Sequence, residues 1–218
     1  MKLKSHSKRL GREFFHQFGL VLLVLPGAIM FLIPWAWMLL TAGKDAKTIW
    51  QVPPVWIPEV YRWQNFIEAW NKGIFANFFG NTSLITLLNV VAVLFSCSIA
   101  AYAFARIDFP GRASLFALVL ATMMLPGQVT LIPLFMIFAK LGWVNTYKPL
   151  IVPLFFGDAF SIFLLRQFML TIPREYDEAA LIDGCSRIGV FFRILLPQLL
   201  APLLVVAIYQ FTWSWNDF

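Results

Sequence analysis

Glu178, Ala179 and Ala180, then Gly184, then Ile194, Leu196 and Pro197 fit one spaced pattern, E-A-A-x3-G-x9-I-x-L-P. These residue types suit docking rather than bond-making. Thr171-Ile172-Pro173 is a helix-start signal, because proline is tolerated in a first turn whose amide needs no partner. Glu175, Asp177 and Glu178 crowd the next turns, where acids complement the positive helix end. Glu175, Glu178 and Ile182 share one face of that helix, and Tyr176, Ala179, Ala180 and Asp183 spread over the other. Two alanines keep the helix thin, so its backbone can lie close to a neighbour. Gly184 can adopt the left-handed conformation that ends a helix. Beyond it, Ile188, Phe191, Phe192, Leu195 and Leu196 recur at i, i+3, i+4, i+7 and i+8, an apolar stripe. The expected product is a short surface helix, a sharp turn and an amphipathic lead-in to a long apolar run. Such a lever moves the run when its tip is pushed, and docking a soluble partner is the use it suits.

Constellations for covalent chemistry are absent from the sequence. His6 and His16 lie in the basic N-terminus with no cysteine, histidine or carboxylate cluster at ligand spacing, so zinc has no site. Cys97 falls in an apolar run and Cys185 in the polar segment, which reads as two free thiols. There is no G-x-x-x-x-G-K-[ST] phosphate loop and no G-x-S-x-G elbow. The chain is therefore not expected to be an enzyme or to bind nucleotide or metal itself. Energised work would draw on another subunit or an ion gradient.

The elements that must position this segment are set by composition. The chain is 60% hydrophobic and 13% charged, where a soluble domain is about 25% charged. No Asp, Glu, Lys or Arg occurs at 14–43, 73–105, 113–139 or 194–216, and 149–165 contains only Asp158. About 20 apolar residues span the hydrocarbon core. The five windows predict spanning helices near 18–40, 81–104, 113–137, 149–167 and 194–213. A β-barrel would show alternating segments of about ten residues, and none is present. The fold class is thus all-α, a polytopic membrane helical bundle. Residues 1–17 form a cytoplasmic N-terminal segment and 18–218 one membrane domain. An outer loop covers about 44–75, and the polar segment about 166–195.

The first window is too long for a signal h-region and carries Pro26, Pro34, Trp35 and Trp37, so it reads as a retained helix. With the N-terminus inside, segments 1–17, 105–112 and 166–193 hold five, two and four Lys or Arg. The outside segments 44–72 and 140–148 hold four and two, so the bias favours N-terminus in. Trp50, Trp56, Trp63 and Trp70 in the outer loop suit an interfacial aromatic belt. The net charge of +6 follows mostly from this bias and calls for no nucleic acid.

Three residues are candidates to line a pathway: Asn89, Gln128 and Asp158. Asp158 is the one Asp, Glu, Lys or Arg within the five windows. Such a group is costly in lipid, and it either faces the pathway or caps a broken helix near water. Thr82, Thr86, Asn89 and Ser96 form a polar stripe on the second helix that could touch a solute or glue helices together. Pro126-Gly127-Gln128 interrupts the third helix, which suits a kink or gating bend.

The polar segment resembles the EAA loop of permease subunits in bacterial binding-protein-dependent ABC importers. Further stretches resemble the carbohydrate-uptake, maltose-type branch, second-subunit kind. They are Asn81-Thr82-Ser83-Leu84, Ala100-Ala101-Tyr102-Ala103-Phe104-Ala105-Arg106, Phe109-Pro110-Gly111-Arg112, Met124-Leu125-Pro126, Ile132-Pro133-Leu134-Phe135, Asn145-Thr146-Tyr147, Phe163-Leu164-Leu165-Arg166-Gln167-Phe168 and Trp215-Asn216-Asp217-Phe218. The resemblance implies a multi-pass permease of the bacterial inner membrane that translocates a sugar inward. Its implied partners are a second homologous permease, two ATPase subunits that use ATP and Mg, and an extracytoplasmic solute-binding protein. The chain itself would bind no cofactor. Glu178, Ala179, Ala180, Asp183 and Gly184 would form the contact with the ATPase, with Glu178 near a basic residue of that partner.

The family has six core spans, and five are predicted here, so truncation after Phe218 is expected. One alternative keeps the mechanism but carries glycerol-3-phosphate or another small polar solute. A more distant one is a secondary transporter or channel without ATPase, which should show internal repeats; none is visible.

Overall fold

A computed structural model describes residues 3–72 and 74–217, with side chains at Gln17 and from Gly19 onward. Among the described residues, twelve α-helical elements follow one another: α1 Leu3–Ala42, α2 Ala46–Ile49, α3 Gln64–Asn71, α4 Phe75–Arg106, α5 Arg112–Thr122, α6 Gly127–Lys140, α7 Lys148–Ile151, α8 Ala159–Thr171, α9 Glu175–Ile182, α10 Arg187–Gly189, α11 Leu196–Gln198 and α12 Leu200–Trp215. A 3-10 turn, Val152–Phe156, links α7 to α8, and a π-helical stretch, Val190–Leu195, links α10 to α11. Among the described residues there is no strand.

The chain divides into two compact units, residues 1–77 and 78–218. In the first, α1 runs on into the segment expected as an outer loop. Gly43 is required there, since a Cβ on it would fall inside the Tyr61 ring. Tyr61 Oη donates to Leu39 O at 2.7 Å, and Asn65 Nδ2 donates to Ala42 O and Lys44 O, both at 2.9 Å. The Lys44 ammonium is buried 4.0 Å from the Trp37 ring centroid, a cation–π contact that compensates its removal from water. Trp50, Trp56, Trp63 and Trp70 are all exposed.

The five predicted windows appear as three continuous stretches and two bent pairs. Gly19–Ala42, Phe75–Arg106 and Lys148–Thr171 are long and apolar enough to cross a membrane. The third window is α5 and α6, bent by 100° where Pro126 sets an extended backbone (ψ 135°). The fifth is Arg187–Gln198 with Leu200–Trp215, bent by 78°.

The core of the second unit lies where α4, α8 and the segment around α9 meet. Val93, Cys97, Ala101 and Ala105 on α4 pack with Leu165 and Met169 on α8 and with Ala180, Val190, Phe191 and Leu195. Small residues on α4 let the neighbouring backbones approach closely, the device that replaces hydrophobic drive inside a membrane. The irregular turn before α8 is stitched to α4. Ser96 Oγ donates to Leu154 O at 3.1 Å, and Asp158 N donates to Cys97 Sγ at 3.1 Å. Non-helical backbone at membrane depth is tolerated where protein satisfies it in this way.

Candidate functional site: the α9 coupling segment

The polar segment folds as expected in outline. Glu175, Asp177 and Glu178 occupy the first turn of α9, and Ile182 is its last residue. Gly184 follows at φ 82°. The exit is a complete Schellman motif: Gly184 N donates to Leu181 O at 3.1 Å and Cys185 N to Ala180 O at 2.9 Å. Ser186 then caps α10, accepting from Gly189 N at 3.1 Å.

The two alanines do not share a side. Ala180 is buried in the core cluster and Ala179 faces out with Glu178, Asp183 and Gly184. The outward surface also carries Tyr176, Leu181 and Ile182, the last 85% exposed. An apolar side chain so exposed at the end of a helix, beside exposed Leu181, suits contact with another surface.

The inward face holds Asp177, one of the three first-turn acids. Asp177 Oδ2 lies 3.0 Å from Arg106 Nε at the end of α4, with the two side chains only 14% and 5% exposed. Burial pushes the Asp177 carboxyl above its ordinary range, outweighing the opposing pull of Arg106. Arg106 Nη2 also donates to Ile172 O at 2.7 Å, and Tyr102 Oη donates to Arg187 O at 2.9 Å. Arg166, on α8, donates from Nε to Phe104 O at 3.2 Å and lies 4.1 Å from the Phe116 ring centroid. The sequence carries a signal for Arg106: it is the charge that closes the apolar run of α4, one turn beyond Tyr102.

The apolar stripe after Gly184 is corrected. Phe191 and Leu195 are buried, but Ile188 is exposed and Phe192 half-exposed, while Val190 and Leu199 are buried instead. The π-helical stretch Val190–Leu195 closes i→i+5 bonds, so the 3.6-residue period slips across it.

Asn89, Gln128 and Asp158 stand on α4, on the first turn of α6 and at the N-cap of α8, and no described hydrogen bond joins them. Asn89 is buried and donates from Nδ2 to Ser214 Oγ at 3.0 Å, where Gln210 Nε2 also donates at 3.0 Å. Its Oδ1 and the neighbouring Thr86 Oγ1 are buried with no partner. Thr86, with Ser83, Phe211 and Trp215, lines a cavity of about 620 Å³ between α4 and α12. Gln128 is exposed. The Asp158 carboxylate accepts from Ser161 N at 2.8 Å and Ser161 Oγ at 2.7 Å, a full N-cap. Because asparagine caps as well as aspartate, Asp158→Asn is expected to leave thermal stability in detergent unchanged. Asp158→Ala should cost about 1 kcal/mol. Equal losses in both variants would show that the charge, not the cap, is what the site needs.

Cys97 and Cys185 are free thiols. Among the described residues there is no cluster of metal-ligating side chains.

Residues 92–218 match the family described as the binding-protein-dependent transport system inner membrane component. The probable ABC transporter permease protein YurM of Bacillus subtilis is 39% identical over 190 residues, 85% of this chain and 61% of that protein. The arabinooligosaccharides transport system permease protein AraQ of Halalkalibacterium halodurans is 39% identical over 162 residues, 74% of this chain and 58% of that one. The sn-glycerol-3-phosphate transport system permease protein UgpE of Yersinia enterocolitica is 32% identical over 209 residues, 91% of this chain and 72% of that one. In structure, the chain is similar to a bacterial ABC transporter involved in the import of the acidic polysaccharide alginate, with TM-score 0.82 and 23% identity over 93% of this chain and 72% of that one. The chain thus spans about 60% of the length of the first two of these relatives. With its helical membrane fold, its exposed α9 and a match over more than half its residues, the chain belongs to the binding-protein-dependent transport system inner membrane component family of ABC transporter permeases.

Proposed function

We propose that this chain is the membrane-spanning permease subunit of a binding-protein-dependent importer, passing a sugar inward with energy from ATP and Mg bound on separate ATPase subunits. The observation that carries this reading is α9: a short helix that keeps Glu178, Ala179, Ile182 and Asp183 exposed while Ala180 and Asp177 root it in the bundle. Such an element serves to transmit a partner's movement. The outward face docks on an ATPase, with Glu178 beside a basic residue. When the ATPase dimer closes, α9 moves as a rigid piece and the spans tied to it follow, a two-state switch of the rigid-body kind. A second permease completes the pathway, and an extracytoplasmic binding protein delivers the solute.

The Lys and Arg bias supports a cytoplasmic N-terminus and the family match supports an inner-membrane location; with four crossings before it, α9 would then lie on the cytoplasmic side. The sugar is supported by the arabinooligosaccharide relative. The glycerol-3-phosphate relative favours a second reading, in which the same mechanism carries a small phosphate ester.

The test is uptake by the full-length transporter in proteoliposomes with its ATPase and binding protein. Uptake of radiolabelled arabinose oligosaccharide should require internal ATP and should stop when the ATPase is omitted. Uptake of glycerol-3-phosphate instead would select the second cargo. Uptake driven by an ion gradient without ATPase would overturn the importer reading.

A further inference from the structure

Tyr102 and Arg106 are four residues apart on α4 and therefore neighbours on one face of its last turns. Between them they hold both flanks of the α9 segment. Arg106 binds Ile172 O, just before α9, and pairs with Asp177 in the first turn. Tyr102 binds Arg187 O, just beyond the Gly184 turn, and its ring lies 5.0 Å from that of Phe191. Ile172 is also the C-cap of α8. One guanidinium thus touches three elements: the end of α4, the end of α8 and the start of α9.

We infer that Arg106 is a positioning residue which, through Asp177, delivers displacement of α9 to α4 and α8. This rests on the proposed role of α9 as the element that docks the ATPase, and it names where the movement goes next.

Stability alone is a weak reason for this pair. Desolvating two charges costs as much as their attraction returns unless hydrogen bonding is complete, and an apolar pair of similar volume often holds a fold as well. Here hydrogen bonding is not complete. Arg106 Nε and Asp177 Oδ2 meet at charge-contact distance, but Nε and Asp177 Oδ1 are buried with no hydrogen-bond partner. Alongside is a cavity of about 230 Å³ whose lining includes Arg174, Glu178 and Arg187. The Asp177 carboxylate has room to move there and two other guanidiniums to meet. A buried charge contact resists separation strongly while leaving the side chains free to pivot about it. That is what a joint between a moving helix and two spans requires.

The test uses the full-length transporter with its ATPase and binding protein in proteoliposomes, with uptake and ATP hydrolysis measured in the same vesicles. The variants are Arg106→Gln, Asp177→Asn and the exchange Arg106→Asp with Asp177→Arg. Asp177→Asn keeps side-chain volume and lies off the docking face, so it should retain the ATPase and hydrolyse ATP. Its uptake per ATP should fall about tenfold, the size of a typical coupling between sites. Arg106→Gln should behave alike, and the exchange should recover much of the ratio. An unchanged ratio in Asp177→Asn overturns the inference, whatever becomes of the Arg106 variants. An exchange no better than either single change overturns it as well. Should the wild-type transporter itself take up solute without ATPase, the docking role of α9 falls and this inference with it.

Discussion

Replacing Ile182 with glutamate is expected to abolish productive binding of the ATPase while the protein still inserts and folds. Ile182 closes α9, is 85% exposed, and adjoins exposed Leu181. It belongs to the surface the chain offers rather than to its own core. Burying an isoleucine in a partner's groove contributes about 1.5–3 kcal/mol, so Ile182→Ala should weaken ATPase binding by about 10–100-fold. Glutamate adds the cost of taking an unpaired carboxylate out of water, so its loss should be larger still. Two controls bracket the result. Ala180→Glu, two residues back but buried in the core cluster, should fail by misfolding. Glu59→Ala, in the first unit and outside the α9 sequence, should bind normally. Affinity can be read by titrating labelled ATPase against transporter in nanodiscs, with insertion followed by protease protection. An Ile182→Glu protein that binds ATPase within twofold of wild type would remove α9 as the docking element.

What was legible in the sequence follows from how strictly each medium filters residues. Lipid excludes charge, so charge-free windows mark the spans closely: 81–104 lies inside Phe75–Arg106 and 149–167 inside Lys148–Thr171. Pro126 announced the break between α5 and α6, because proline at that point removes a donor. Gly184 announced the end of α9, because few residues accept a left-handed backbone. The bend before Leu200 lies between Pro197 and Pro202, yet the charge-free window reads straight through it. It follows a π-helical stretch, which leaves no fixed residue signature and shifts which side chains face inward, so Val190 and Leu199 replaced Ile188 and Phe192 in the core. The Arg106–Asp177 pair escaped for a different reason. Acids in a first helical turn have a sufficient local explanation in the helix dipole, and only the fold shows that one of the three points inward to a cation 71 positions away. Asn89 illustrates the limit from the other side. Its polar stripe is readable, but neither its bond to Ser214 nor its unpartnered Oδ1 follows from the stripe, because both depend on where α12 packs.

Gly184 gives the second large effect, graded by side chain in a way that separates backbone strain from lost contact. An ideal Cβ there meets nothing within 4 Å, so steric crowding plays no part. The cost of substitution is the φ of 82° alone. Alanine should therefore cost about 1–2 kcal/mol. Valine should cost more, because β-branching makes the left-handed region a true outlier. Asparagine, which enters that region readily, should lie closest to glycine. The strain has few ways to relax. Relieving it breaks the bonds from Gly184 N to Leu181 O and from Cys185 N to Ala180 O, which fix how the chain leaves α9. The outward face would then meet the ATPase at the wrong angle relative to the anchored Arg187. Sugar uptake is accordingly expected to fall in the order Gly, Asn, Ala, Val, with Gly184→Val reduced by about 100-fold or more if its cost reaches 3 kcal/mol. The order is the diagnostic part. A loss that tracked side-chain volume instead, with asparagine and valine alike, would mean that Gly184 is pressed against a partner surface and that its small size, not its backbone, is what coupling requires.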